Sequence, residues 1–304
     1  MRRKSVFSLG VLLFALIASA ACLHGAGAAE PVEIPRAFPA GTYSMNQEYF
    51  SSLIRTLAGV KETLQERINL YWRVTVEQTD AGSEMTLELR RATYLSRDVH
   101  QWVRPETFDT DTEGKTEEIE AVYRLLRSAT IKITFDASMA VVKIEGAAPL
   151  CEKLSASAEK VRLAAVTAGM LDEKSLTDSY AQLSFLLPQG KVSVGDHWTN
   201  SVALTLPLTG RTDVTWETEF LREETVGSDH LATLAGHCHL MLDDLTSVTT
   251  DLTAVYNTAD GLNTEMTTRS VVSRTETKMV NDKEWELRTV GMVQGSQTIT
   301  RYGR

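Results

Sequence analysis

Between Lys61 and Leu95 the chain alternates apolar and polar residues strictly enough to limit what it can become. Ile68, Leu70, Trp72, Val74 and Val76 are separated by Asn69, Tyr71, Arg73 and Thr75. Successive side chains of a strand point to opposite faces, so the run has one apolar face and one largely polar face. After an Asp80-Ala81-Gly82 turn, Met85, Leu87 and Leu89 repeat the pattern, which predicts an antiparallel hairpin from Lys61–Gln78 and Glu84–Leu95.

The same reading extends along the chain. Thr42–Tyr49 reads as a short strand, and Ser51–Leu57 fits strand or helix. Asp98–Gly114 is polar and irregular, with Trp102 and Phe108 as anchors. Ile119, Val122, Tyr123 and Leu126 have helical spacing within Thr116–Arg127. Thr130–Phe135 and Ala140–Ile144 form a second hairpin. A helix-rich segment then runs from Pro149, and Pro188 ends its last piece, Ser175–Leu186. Six strands follow: Trp198–Leu206, Thr212–Arg222, His230–Leu242, Thr249–Tyr256, Leu262–Ser273 and Glu284–Arg301, rich in Thr and punctuated by turn residues. The expected fold class is α+β, mainly antiparallel β: a curved open sheet or half-barrel meander with a helical insert near 147–187. The domain reading is a leader at 1–29, a Pro-rich linker at 30–40 and one β-rich domain at 41–304. Two similar β halves, 41–146 and 190–304, are left open.

The amino terminus addresses the chain. Arg2, Arg3 and Lys4 precede an apolar Val6–Ala18 run and small residues with A-x-A sites at Ala18–Ala20 and Ala26–Ala28, the layout of a secretory signal peptide. Ser19-Ala20-Ala21-Cys22 also looks like a bacterial lipobox with Ser19 where Leu is usual, so acylation at Cys22 competes with ordinary cleavage. Palmitate labelling with a Cys22→Ala control decides between them. The formal net charge of -9 becomes -12 when Arg2, Arg3 and Lys4 leave with the leader. An acidic chain without a basic block is not expected to bind nucleic acid or anionic lipid; its contact with a membrane would be a lipid anchor at Cys22. Cys151 and Cys238 can pair in an oxidising compartment or stay as separate buried thiols.

Leu187–Trp198 reads L-P-Q-G-K-V-S-V-G-D-H-W. Pro188 stops a helix, Val192 and Val194 alternate as in a strand, Gly195-Asp196 is a turn dipeptide, and Trp198 opens the next strand. Asp196 and His197 are not an acid–base pair, because neighbours on an extended chain diverge. This stretch, the preceding hairpin Ile131–Gly146 and the later Tyr256-Asn257-Thr258-Ala259-Asp260-Gly261 together resemble an uncharacterised family of exported bacterial proteins, many of them predicted lipoproteins, with a V-x-V-G-D-x-W motif. Ala137-Ser138-Met139 stands where that family has an Asp-Gly turn. The resemblance covers about two thirds of the chain; it implies an exported β-rich fold and supplies no catalytic residues.

Local chemistry is sparse. His237 and His239 flank Cys238 and share a strand face, an H-x-H spacing that can ligate zinc or copper given a third ligand. His230 has the opposite parity. Asp243-Asp244 reads as a turn. No nucleophile elbow, H-E-x-x-H, P-loop or dinucleotide fingerprint is present, and no cofactor is implied. Trp72, Trp102, Trp198, Trp216 and Trp285 are read as core, or as the lining of a groove for a hydrophobic ligand. The expectation is an exported, non-catalytic protein of the periplasm or cell surface that binds a lipid, another hydrophobic ligand or an envelope protein. The alternatives are a metal-dependent enzyme or metal-binding protein using His237 and His239, and a structural envelope component without a small ligand.

Overall fold

The apolar positions of the 68–76 run all face one way in a twelve-stranded antiparallel sheet. The computed structural model describes residues 31–98, 106–109, 117–157, 162–206, 210–280 and 283–302. In chain order the elements are β1 (Gly41–Leu57), β2 (Val60–Thr79), β3 (Gly82–Asp98), β4 (Glu106–Asp109), α1 (Glu117–Arg127), β5 (Thr130–Asp136) and β6 (Val141–Glu145). Then come α2 (Ala147–Ser157), α3 (Arg162–Leu171), α4 (Glu173–Phe185), β7 (His197–Leu206), β8 (Gly210–Val226), β9 (Asp229–Asp243), β10 (Thr246–Asn257), β11 (Asn263–Val280) and β12 (Lys283–Arg301). The sheet order is β6-β5-β3-β2-β1-β12-β11-β10-β9-β8-β7, with β4 also on β3. The two flanks of the helical insert therefore join along β1 and β12, from Tyr43↔Arg301 to Leu57↔Leu287.

Eleven strands in line, at about 4.8 Å per step, would set the edges of a flat sheet about 48 Å apart. Yet α4 contacts both edge strands, β6 and β7. A helix of 13 residues is only about 20 Å long. The sheet must therefore curl until its free edges flank α4. It remains open, because no strand pair closes it. Two apolar clusters fill the concave side. One joins Leu70, Trp72, Leu87, Ile131 and Ile133 to Leu126 of α1, Leu154 of α2 and Leu171 of α3. The other joins Trp216, Phe220, Leu234 and Leu252 to Leu186, Leu187 and Ile34. The convex side carries charged and polar residues, with ion pairs such as Arg67–Glu48 at 3.2 Å. Apolar inside and charged outside is the reverse of a barrel that faces lipid.

Local expectations were overridden in three places. Ser51–Leu57, ambiguous by pattern, is the second half of β1 because β2 and β12 pair with it to its end. The irregular 98–114 stretch contains β4, where Phe108 pairs with Tyr94; Trp102 lies outside the described residues. Val192 and Val194 form no strand. Val192 makes a single bridge to Val32, and Val194 is exposed, because the Asp196 carboxylate accepts the Ser193 N–H at 2.8 Å and folds the segment into a turn.

The Pro-rich segment before β1 is extended and also packed across one mouth of the curled sheet. Ile34 is buried. Phe38 meets Phe135 of β5 with ring centroids 4.8 Å apart and Tyr180 of α4 at 5.9 Å. Gly261 has φ +76°, and a Cβ there would overlap the Pro35 carbonyl oxygen. Gly261→Ala combines backbone strain with that overlap, so we expect about 1–3 kcal/mol of destabilisation. Urea denaturation checks it, and an unchanged midpoint would show that the segment does not pack where it is seen.

Candidate ligand-binding cavity

Because β1, β2, β10, β11 and β12 present every second residue to the concave side, their inner rows converge beneath α4. A cavity of about 70 Å³ lies there. Met45, Gln47 and Tyr49 of β1, Trp72 of β2, Leu252 of β10, Met266 and Thr268 of β11, and Gln297 of β12 line it from the sheet. Met170, Leu176, Ser179 and Tyr180 close it from the helices. The row Tyr49–Gly295–Thr268 has no side chain at its centre.

The lid is held at both ends. Asp172 caps α4, accepting from the N–H groups of Lys174 and Ser175. At the other end three side chains take the freed carbonyls: Trp198 Nε1 donates to Leu186 O at 3.1 Å, Arg36 Nη2 to Leu187 O at 3.0 Å, and Asn200 Nδ2 to Leu187 O at 3.4 Å. The Pro188–Trp198 motif is thus the joint between α4 and edge strand β7. Pro188 is buried. Gly195, at φ +92°, donates its N–H to Phe220 O at 2.8 Å. Leu186 in turn packs onto Gly236 of β9, where a Cβ would come within 2.9 Å of Leu186 Cδ2.

The cavity is amphipathic and uncharged. Trp72 Nε1 donates to Gln47 Oε1 at 2.9 Å, and Gln47 Nε2 donates to Gln297 Oε1 at 2.9 Å. Thr268 is fully buried and its hydroxyl has no hydrogen-bond partner. Tyr49 and Tyr180 are the titratable groups among the described lining residues, and burial raises both phenols above their ordinary range, so they stay neutral. Tyr180 also donates to Met85 Sδ at 3.3 Å. Further along the inner row of β2, outside the cavity lining, the buried Glu66 carboxylate accepts from Tyr94 OH at 2.7 Å.

Other residues singled out by sequence lie elsewhere. His237 and His239 share the convex face, exposed, but each Nδ1 has its own cross-strand partner: Asp251 at 2.7 Å and Thr249 at 3.0 Å. Among the described residues no group of three His, Cys, Asp or Glu is placed to hold a metal ion. Asp243 accepts from Leu245 N in its turn, and those hydrogen bonds hold its carboxyl below the ordinary range. Cys151 and Cys238 are free thiols that belong to different apolar clusters. Trp72 and Trp216 are buried, Trp198 is half-buried, and Trp285 is partly exposed. Cys22 lies outside the described residues. Sequence reasoning missed Gln47, Gln297, Thr268 and Glu66. Glu66 carried a signal, since it has the inner parity of Ile68 and Leu70; the other three are ordinary polar strand residues until their neighbours are known.

The model of a family of unknown function (DUF6263) matches residues 92–232, less than half of the chain, from within β3 to the start of β9. No curated protein matches the sequence. Among solved structures, an outer membrane channel from Pseudomonas putida F1 is 9% identical, over 91% of this chain and 100% of its own, with a TM-score of 0.19. A putative outer membrane lipoprotein-sorting protein domain from Vibrio parahaemolyticus is 9% identical, over 88% of each chain, with a TM-score of 0.14. The channel OccK11 (OpdR) of Pseudomonas aeruginosa is 7% identical, over 91% and 100%, with a TM-score of 0.17. Scores this low establish no shared fold.

Burial pushes both cysteine thiols from the ordinary 9.0 up to about 11, and the carboxylates of Asp172 and Glu173 add to the effect at Cys151. The thiolate is the nucleophile, so we expect both to resist alkylation at pH 8 until the protein unfolds. The folded state holds them protonated, so their contribution to stability is intact below pH 9 and is lost as pH rises from 9 to 11. Alkylation followed by mass spectrometry checks this. Prompt labelling of Cys238 in the folded protein would contradict it.

Proposed function

We propose that this chain is an exported, non-catalytic binding protein of the bacterial envelope. It holds a small hydrophobic ligand between the concave sheet and α4. The observation that carries this reading is the cavity under α4, lined by apolar residues and a few neutral polar groups, the composition of a ligand site. Three methionines, Met45, Met170 and Met266, line it. Unbranched, polarisable thioethers repack around varied ligands. The charged convex face suits an aqueous compartment, and the leader-like amino terminus supports export, with Cys22 as the candidate anchor. As it stands the cavity has room for a handful of water molecules, so a ligand longer than a few heavy atoms requires α4 to lift along the seam between β6 and β7.

The test is titration of delipidated protein with a neutral, environment-sensitive fluorescent probe, alongside native mass spectrometry of protein purified without detergent. We expect saturable binding, and we expect Ser179→Phe, which fills the cavity from α4, to weaken it about tenfold or more without unfolding the chain. No saturable binding by the wild type, or equal binding by the folded variant, would remove the reading.

A further inference from the structure

We infer that the cavity selects a ligand with an uncharged oxygen head group, such as a primary amide, an ester or a hydroxyl, on an apolar body. This rests on the binding role proposed above and names the ligand class. The indole of Trp72 can only donate. Its bond to Gln47 therefore turns the Gln47 oxygen towards Trp72 and the Gln47 nitrogen towards Gln297. Gln297 must answer with its oxygen. Its own Nε2 is left as the donor end of a relay whose direction the indole has set. One strand away, Thr268 offers a fully buried hydroxyl that has no partner. Both residues line the same space, so an acceptor oxygen bonded to Gln297 Nε2 would lie beside Thr268, whose hydroxyl reaches it by a χ1 rotation.

The lining also says what is excluded. Among the described residues it contains no Lys, Arg or His to compensate a carboxylate or phosphate, and no Asp or Glu to compensate an ammonium. A charged head drawn into this space would lose its hydration with no opposite charge in return. A purely apolar ligand would leave the Thr268 hydroxyl unpartnered. A neutral acceptor on an apolar chain avoids both penalties.

The test is competition against the same fluorescent probe by octanamide, octanoate, octylamine and octane at neutral pH, repeated with Gln297→Leu and Thr268→Val. Octanamide is expected to compete at least about tenfold better than octanoate or octylamine. Octanoate should gain when the buffer is acidified enough to protonate it. Both variants should weaken octanamide and leave octane unchanged. Thr268→Val should also keep or raise the urea midpoint, because it removes an unsatisfied hydroxyl; a merely structural threonine would lower it. If Gln297→Leu fails to fold, Thr268→Val alone decides. If octanoate competes as well as octanamide, or the folded variants bind octanamide as the wild type does, the head-group inference falls and the hydrophobic cavity stands. If neither octane nor octanamide displaces the probe, or the probe never binds, both readings fall.

Discussion

The pairing of β1 with β12 is the interaction on which the remaining architecture depends. It joins residues about as far apart as the described chain allows, and the side-chain bond between Gln47 and Gln297 spans 250 positions. Without it there are two separate antiparallel ribbons, each with an apolar face too wide for the short helices to cover. With it, fifteen consecutive residue pairs from Tyr43↔Arg301 to Leu57↔Leu287 align the inner parity of both halves. A slip of one residue would turn Met45, Gln47 and Tyr49 to solvent. Closing so long a loop is slow, because the entropy is lost before the contacts form.

Curling the joined sheet brings its edges to α4, and the helix then does what hydrogen bonds do in a closed barrel. It contacts both edge strands, β6 and β7, whose unpaired backbone groups would otherwise be open to other chains. The joint is chemically specific at one end, where the indole of Trp198 and the guanidinium of Arg36 hold the carbonyls of Leu186 and Leu187. Phe38, Phe135 and Tyr180 tie the amino-terminal segment, the sheet and the helix into one aromatic cluster. A lid anchored at its ends and lined with adaptable side chains at its middle is suited to opening without unfolding.

A sheet selected only for its core would not carry polar residues along the middle of its buried face. Gln47, Gln297, Thr268 and the hydrogen-bonded pair Thr250 and Ser270 form such a stripe across β1, β12, β11 and β10. Most members satisfy one another, which removes most of the desolvation cost. Thr268 does not, and it borders the cavity.

Most strand positions, the inward face of the Lys61–Leu95 hairpin, the helical insert and the turn at Asp196 were legible in the sequence. They follow from local rules: a period of two, the missing N–H of proline, and the turn chemistry of glycine and aspartate. Local pattern could not reveal that β1 lies beside β12, that β4 pairs at all, or that Ser51–Leu57 continues a strand, because partners distant in the chain decide each of these. The same holds for the cavity. Glutamine and threonine on a strand have no marked role until the curl of the sheet sets them opposite α4 and withdraws them from water. The sequence by itself determined which residues face inward. Only the tertiary structure decided which inward residues meet, because those contacts cross the whole length of the chain and no local period encodes them.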